Sequence, residues 1–203
     1  MKGITIPRTA RGQTTFDRIC HVAEQLFHTQ GYHLTTIDDI VKTAGVSTGT
    51  FYLYFEDKYS LYRRLLLNYS HQIRSVIAIA TENVQGRREK ERVGIKTFIR
   101  FVRDNPQAYT IIWQSLQVDK ALFVDYYSNF AEHYIKGLNE AEKNGELYPV
   151  DAITASYALM GISNFVGLQV TLFDTAHSSD EDIERIVDQV IRMLDRGLFV
   201  TKR

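Results

Sequence analysis

The stretch from Thr35 to Lys58, TTIDDIVKTAGVSTGTFYLYFEDK, constrains the fold of this chain more than any other part of the sequence. Thr36 and Asp39 have the spacing of a capping box, which begins a helix. Gly45 is placed to end that helix, because glycine adopts the left-handed conformation without steric cost. Ser47 is placed to cap a second helix almost immediately afterwards. The pattern therefore predicts a helix-turn-helix.

The second helix of this pair has two different faces. Phe51 and Phe55 lie one turn apart and are predicted to point inward. The small or hydrogen-bonding residues left outside are Ser47, Thr48, Gly49, Tyr52 and Tyr54. At about 1.5 Å per residue the helix is roughly 13 Å long, so its N-terminal end can enter a DNA major groove about 12 Å wide. The alternative is a pair of packed helices with no role on DNA.

The residues from Leu34 to Lys58 also resemble a known family. Their pattern, L-T-T-x-x-x-I-V-x-x-A-G-V-S-x-G-T-F-Y-x-Y-F-x-x-K, is similar to the DNA-binding signature of the tetracycline-repressor (TetR) family of bacterial regulators. Flanking residues 14–31 and 61–66 extend the resemblance to about a quarter of the chain. Asp38 and Asp39 stand where the family often places an Arg, and Tyr54 replaces a frequent His.

The resemblance implies DNA contacts for individual residues of the motif. Those implied to face base edges are Ser47, Thr48, Gly49 and Tyr52, and those implied to contact phosphates are Thr36, Thr50, Tyr54 and Lys58. The family also implies a homodimer on a palindromic double-stranded operator, released by a small-molecule effector. A ligand among the C-terminal helices would tilt the connecting helix and change the separation of the two reading heads.

Charge and composition exclude several classes of protein. The chain has 203 residues and a net charge of zero, which argues against a DNA-coating architectural protein. Residues 1–64 carry 8 Lys and Arg against 6 Asp and Glu, a weak basic tilt. A single cysteine excludes an intramolecular disulfide and fits the cytoplasm. The sequence contains no long apolar run or signal peptide, so we expect neither export nor a membrane span.

Residues 1–13 carry Lys2, Arg8 and Arg11 and few apolar side chains, which favours a mobile tail. A basic arm that follows DNA is the alternative. Thr14 is predicted to cap the first helix, with Asp17 as its partner. The apolar stripe of that helix is Phe16, Ile19, Cys20, Ala23, Leu26 and Phe27. Cys20 is interpreted as a packing residue, and the histidines have no metal-ligand spacing.

The remainder of the chain is predicted to be helical. Asp57 is placed to cap a long connecting helix over 57–82, and Gly86 interrupts the periodicity after it. Further helices are expected at 92–105, 106–116, 120–144, 151–173 and 180–199, with caps at Asp151 and Ser179 and an end at Gly145. The predicted fold is all-α, with a helix-turn-helix domain over 1–56 and a ligand-binding and dimerisation domain over 57–203.

The C-terminal half is rich in aromatic residues. The candidates for an effector site are Phe98, Phe101, Tyr109, Trp113, Phe123, Tyr126, Tyr127, Phe130 and Phe165. An apolar cavity with a few polar groups suits a small, largely apolar or aromatic ligand. The alternative is that these rings pack against one another.

The last two predicted helices have more apolar surface than one neighbour needs. The residues expected at a dimer interface are Ala158, Gly161, Ile162, Phe165, Val187, Val190, Ile191 and Leu194. Small residues would let a second copy approach closely and form a four-helix bundle. Burial within one protomer is the alternative.

These observations predict a cytoplasmic, ligand-responsive transcriptional regulator, with repression as the expected mode. The alternative is a helical DNA-binding regulator controlled by a protein partner and no small molecule. No paired carboxylates, nucleophile–base pair or glycine-rich phosphate loop occurs at a suitable spacing, so an enzyme is not expected. No cofactor and no metal are expected.

Overall fold

The computed structural model describes residues 3–196. Across this range the chain is helical, with nine α-helices and no β-strand. The helices are α1 (Ala10–Gln30), α2 (Ile37–Ala44), α3 (Thr48–Tyr54), α4 (Lys58–Thr81), α5 (Arg87–Asp104), α6 (Pro106–Val118), α7 (Lys120–Lys143), α8 (Ala152–Leu168) and α9 (Asp180–Arg196). The predicted all-α fold is confirmed.

The N-terminal segment differs from its prediction. Helix α1 begins at Ala10, capped by Thr9, whose side chain accepts a hydrogen bond of 3.1 Å from the backbone N–H of Gly12. Thr14 lies inside the helix and donates to the carbonyl of Ala10 instead of capping. Thr9 serves as the cap because the chain before it is held in place by the helix-turn-helix.

Backbone hydrogen bonds hold that preceding segment. Ile4 and Phe55 form an antiparallel bridge. The N–H of Thr5 donates to the carbonyl of Tyr54 at 2.8 Å, and the N–H of Glu56 donates to the carbonyl of Gly3 at 3.0 Å. The prediction of a mobile tail is therefore wrong for residues 3–9, while residues 1 and 2 lie outside the described range.

Two other helix bounds differ from their predictions. Helix α5 begins at Arg87 rather than at residue 92, because Arg87 pairs with Glu91 at 2.6 Å across its first turn. Helix α8 ends in a single π-helical turn over Gln169–Phe173, where the sequence predicts one continuous helix. The predicted end of α9 at residue 199 lies outside the described residues.

Two compact units make up the described chain. One contains residues 3–71 and 107–126, and the other contains residues 72–106 and 127–196, so the predicted boundary at residue 56 does not coincide with this division. Helix α6 explains part of the difference. Its Gln114 accepts from the N–H of Tyr32 and donates to the carbonyl of Phe27, both at 3.1 Å, which joins α6 to the end of α1.

Each unit has its own core. The first packs α1 against α2 and α2 against α3, around fully buried rings such as Phe16, Phe27 and Tyr62. The second packs α5 against α8 and α9 and buries Ile99, Val102 and further apolar residues of α9. Apolar burial at about 25 cal/mol per Å² is the main stabilising contribution to both.

Candidate nucleic-acid interface

Local hydrogen bonds define the helix-turn-helix as predicted. The N–H of Asp39 donates to the Thr36 hydroxyl at 3.1 Å, and the N–H of Thr36 donates to the Asp39 carboxylate at 2.9 Å. The hydrogen bonds that the Thr36 hydroxyl and the Thr36 N–H donate to the Asp39 carboxylate hold the pKa of Asp39 below its usual value. Gly45 adopts φ 62° and ψ 42°, and Ser47 caps α3 through the N–H of Thr50 at 3.1 Å. The capping box, the glycine turn and the second cap are confirmed.

Helix α3 presents one face to solvent and buries the other. Phe51 and Phe55 are fully buried, as predicted. On the opposite side Ser47, Thr48 and Gly49 are exposed. Tyr52 is 54% exposed, and the neighbouring Leu53, which the sequence did not single out, is 66% exposed. An apolar side chain left open beside Tyr52 suits contact with a thymine methyl group.

The residues predicted to contact phosphates are not equally free to do so. Tyr54 packs its ring edge-on against Phe16, with 5.7 Å between ring centroids, and its hydroxyl has no hydrogen-bond partner among the described residues. Thr50 is half-exposed and its hydroxyl lies 2.8 Å from that of Ser47. The Thr36 hydroxyl donates to Asp39 at 2.6 Å, so a phosphate would have to compete with that carboxylate.

Lys58 has a structural role in addition to the one predicted for it. Its ammonium donates to the carbonyls of Tyr32 and Thr35, both at 2.7 Å, and lies 4.2 Å from the centre of the Tyr32 ring. Partial burial lowers the pKa of this ammonium. Two of its three N–H groups thus hold the α1–α2 loop against the start of α4, and one remains for a phosphate.

A cleft of about 490 Å³, called here the α1 cleft, lies between α1 and the helix-turn-helix. It is lined by Thr9, Arg11, Gly12, Thr15, Arg18, Gly45, Val46, Ser47, Thr50 and Tyr54. Arg11, Thr15 and Arg18 follow the i, i+4, i+7 spacing of one helix face. That spacing was the available signal in the sequence, but the helix was predicted to begin at Thr14, which left Arg11 in the tail.

Comparison with known proteins identifies this arrangement. The sequence profile of bacterial regulatory proteins of the tetR family matches residues 19–65, which cover the helix-turn-helix and the start of α4. Residues 19–65 therefore form a DNA-binding domain of the TetR-family type. The chain is accordingly a DNA-binding transcriptional regulator, as the motif from Leu34 to Lys58 predicted.

Relatives of this chain are regulators as well. The HTH-type transcriptional activator FasR of Mycolicibacterium smegmatis is 28% identical over 115 residues, which are 56% of this chain and 50% of FasR. The chain therefore matches only half the length of that relative. The likeness agrees with a regulator rather than an enzyme.

Solved structures share the fold over nearly the whole chain. The fatty acid degradation regulator FadR from Bacillus halodurans has a TM-score of 0.80 at 20% identity, covering 95% of this chain and 98% of FadR. FadR from Bacillus subtilis in complex with stearoyl-CoA has a TM-score of 0.79 at 18% identity, covering 91% and 100%. At these identities the likeness shows the fold alone.

The aromatic residues predicted to bind an effector fall into both units of the chain. Tyr109, Trp113, Phe123 and Tyr126 belong to the first, and Phe98, Phe101, Tyr127, Phe130 and Phe165 belong to the second. In the first unit Trp113 lies 6.2 Å from Phe123 between ring centroids. In the second unit the Tyr127 hydroxyl donates to Asn164 at 3.2 Å, and burial raises the pKa of Tyr127 to about 12. The effector site stays a prediction.

The residues predicted at a dimer interface also divide in two. Ala158, Gly161, Phe165 and Leu194 are exposed and Ile162 is half-exposed, as an interface requires. In contrast, Val187, Val190 and Ile191 are buried within the protomer. The prediction for these three residues is corrected, because side chains in the core have little surface to offer a second copy.

Helix α8 carries an unusual amount of exposed apolar surface. The segment Ala152–Phe173 is long and apolar enough to pass for a membrane span, with a mean hydropathy of 1.2, yet only 28% of its most apolar window is buried. Phe165 is 62% exposed, and a side chain added at Gly161 would meet no atom of the described residues within 4 Å. The outward face of α8 is thus open to close approach by another helix.

The remaining candidate groups carry no site. Among the described residues no cluster of three or more His, Cys, Asp and Glu side chains could hold a metal ion. Cys20 is half-buried on α1, and burial raises the pKa of its thiol to about 12. A thiol held in its protonated form is a poor nucleophile, which agrees with the packing role predicted for Cys20.

Proposed function

We propose that this chain is a cytoplasmic, ligand-responsive repressor that binds a palindromic operator as a homodimer. The observation that carries the proposal is the exposed N-terminal end of α3, where Thr48, Gly49 and Tyr52 project from a motif held by two caps and two buried rings. Side chains held this rigidly can read base edges at low entropic cost.

Recognition divides between bases and backbone. Ser47, Thr48, Gly49 and Tyr52 face the base edges in this proposal. Thr36, Thr50, Tyr54 and Lys58 contact phosphates, with Thr36 the weakest contributor because its hydroxyl is engaged by Asp39. Base contacts set the sequence and phosphate contacts set the register of the protein on the duplex.

The homodimer is supported by the open face of α8. Ala158, Gly161, Ile162 and Phe165 follow one stripe of that helix, and Leu194 adds exposed apolar surface from α9. A two-fold axis through such a stripe pairs it with itself. The same symmetry gives two reading heads, which match the two half-sites of a palindrome.

The effector in this proposal is a largely apolar molecule. The aromatic residues predicted from the sequence support it, and the fold shared with a FadR that is solved with stearoyl-CoA favours a molecule with an acyl chain. Release requires only two protomer states and a ligand that binds one of them more tightly. Linkage then makes the ligand and the operator weaken each other's binding by the same factor.

Replacing Tyr52 tests the reading of DNA by α3. Duplexes selected by the wild-type dimer from a random-sequence pool supply the operator, and a duplex of unrelated sequence supplies the reference. Tyr52→Ala should weaken binding to the selected duplex by about 1–3 kcal/mol, the usual loss for one specific contact, with much less effect on the unrelated duplex.

Tyr148 provides the matched control, because it is 93% exposed and belongs to the other unit. Tyr148→Ala should leave both affinities unchanged. Equal losses on the two duplexes for Tyr52→Ala would remove Tyr52 from base reading, and failure of the wild type to enrich any sequence would refute the proposed function.

A further inference from the structure

We propose that the α1 cleft is a binding site for the phosphodiester backbone of DNA, in which Arg11, Arg18 and Tyr54 donate hydrogen bonds to phosphate oxygens. The site adds α1 to the DNA-binding surface, and it rests on the proposed function of the chain. It involves two arginines of α1 that lie outside the helix-turn-helix.

Three hydrogen-bond donors of the cleft have no partner among the described residues. Among the described residues neither the guanidinium of Arg11 nor that of Arg18 makes a hydrogen bond or an ion pair, and the Tyr54 hydroxyl also has no partner. Within the same range no carboxylate lines the cleft. A phosphodiester offers oxygen acceptors and a negative charge. These are the acceptor and the counter-charge that the two guanidiniums and the phenol do not find among the described residues.

The geometry of α1 directs these groups to one place. Arg11, Thr15 and Arg18 form one stripe of the helix. The Thr15 hydroxyl donates to the backbone carbonyl of Arg11 at 3.1 Å, so this short side chain lies along the helix between the two arginines. The Tyr54 ring is fixed by its edge-on contact with Phe16. The stripe and the phenol thus face a common space.

The first turn of α1 is also held close to the motif. A side chain added at Gly12 would lie 3.1 Å from Cβ of Pro7, 3.1 Å from the Thr9 hydroxyl and 3.5 Å from the Tyr54 hydroxyl. The bridge between Ile4 and Phe55 fixes the segment before this turn. Arg11 therefore belongs to a positioned helix and not to a free tail.

The location of the cleft favours DNA over a free phosphorylated molecule. Ser47 and Thr50, at the start of α3, line the same cleft as the arginines. The residues between them, Thr48 and Gly49, are the exposed ones proposed to face base edges. A backbone that passes the end of α3 in the major groove would run beside α1, so the proposed phosphate lies on the strand that flanks the half-site.

The salt dependence of binding tests the proposal. Affinity for a random-sequence duplex is measured from low to moderate salt for wild type, Arg11→Ala, Arg18→Ala and the double variant. The magnitude of the slope of log affinity against log salt should decrease by roughly 1 for each phosphate that is no longer neutralised. A substitution is present in both protomers of a dimer, so each single variant should lower this magnitude by about 2. Tyr54→Phe keeps the ring and should weaken binding only a few-fold.

Arg185→Ala is the matched control, because Arg185 is an exposed arginine of α9 whose ion pair is with Asp182 on its own helix. Its slope should equal that of wild type. The Arg11 and Arg18 variants should keep the wild-type melting temperature, since neither guanidinium is bonded to another described residue, and so a folding defect is separable from a binding defect.

Replacing single phosphates of the duplex by uncharged groups tests whether the ligand of the α1 cleft is the DNA backbone. Single methylphosphonate substitutions are placed along a duplex selected by the wild type. One position flanking each half-site should weaken wild-type binding but have no further effect on the double variant. Unchanged slopes with intact binding would overturn the α1 cleft and leave the proposed function in place, and absence of wild-type binding to any duplex would overturn both.

Discussion

Helices α1 and α5 both carry a stripe of basic residues, and the two stripes have opposite fates. On α5 the stripe meets the carboxylates of α9: Arg88 pairs with Asp195 at 2.7 Å, Arg92 with Asp188 at 3.0 Å, and Lys96 with Glu184 at 3.2 Å. On α1 the guanidiniums of Arg11 and Arg18 line a cleft with hydroxyl groups and, within the described chain, no carboxylate. A basic helix face thus forms an internal ion-pair ladder in one unit and an open basic surface in the other.

The difference teaches where to look for a partner. Net charge alone argued only weakly for DNA, since 24 basic and 24 acidic residues cancel. Pairing in the second unit neutralises many of those charges, whereas the arginines of the α1 cleft have no partner among the described residues and are open to a ligand. The exposed apolar face of α8 follows the same logic, because a group without a partner inside the protomer is available to one outside it.

The largest expected effect comes from breaking the most buried pair on α5. Glu91 is 7% exposed and is bonded by Arg87 and by the hydroxyl of Tyr134. Arg87→Ala leaves this carboxylate buried without its cation, and the free energy of unfolding should fall by about 3–5 kcal/mol. Denaturant titration followed by circular dichroism measures it.

Arg88 supplies the control for that variant, since it is the next residue and its pair with Asp195 is exposed. Arg88→Ala should cost no more than about 1 kcal/mol. Equal losses for the two variants would mean that burial does not determine how much each ion pair contributes to the free energy of unfolding.

An intermediate effect is expected on the open face of α8. Phe165→Glu places a charge on a side chain that is 62% exposed, so the protomer should fold while the dimer loses about 2 kcal/mol or more, a typical hot-spot value. Sedimentation velocity at micromolar concentration should show monomers. Tyr148→Glu, at a residue 93% exposed, should remain dimeric. A wild-type monomer would contradict the proposed interface.

The smallest effect is expected from acid. Hydrogen bonds and ion pairs from Arg103 hold the pKa of Asp180 below its usual value, and those from Arg92 do the same for Glu184. Because these pKa values are lower in the folded protein, the stabilisation is complete above the unfolded values of about 4 and is lost as pH falls below them. The melting temperature should decrease by about 2–4 °C more than in a variant that lacks these two carboxylates.

A double variant, Asp180→Asn with Glu184→Gln, serves as that reference because it removes both titrating groups and keeps their shape. Its melting temperature at pH 6 should already be lower than that of wild type, and the two curves should converge near pH 3. Parallel curves would show that the titration of these two carboxylates does not contribute to stability.

Some predictions succeeded because they depended on neighbours close in sequence. The capping box of Thr36 and Asp39, the left-handed Gly45 and the cap at Ser47 each involve residues within three positions. The burial of Phe51 and Phe55 follows from a one-turn spacing. These features agree with the structure. The family resemblance and the exposed N-terminal end of α3 rest on the same local patterns, and they agree with the findings as well.

Other predictions failed where distant residues decide. Thr9 and Thr14 can both cap a helix, and the bridge between Ile4 and Phe55 decides in favour of Thr9. Val190 and Ile191 have the apolar periodicity of an interface, but they are buried within the protomer, where α9 packs against α5. Periodicity reports that a face is apolar and does not report which surface covers it.

The sequence by itself determined the helices, their caps and the helix-turn-helix, because capping and turn energies act between residues a few positions apart. Only the tertiary structure decided which basic stripe is neutralised. Arg92 and Asp188 are distant in sequence and adjacent in space, while no carboxylate of the described residues lines the cleft of Arg11 and Arg18. An ion pair depends on the distance between two charges, and the packing of helices sets that distance.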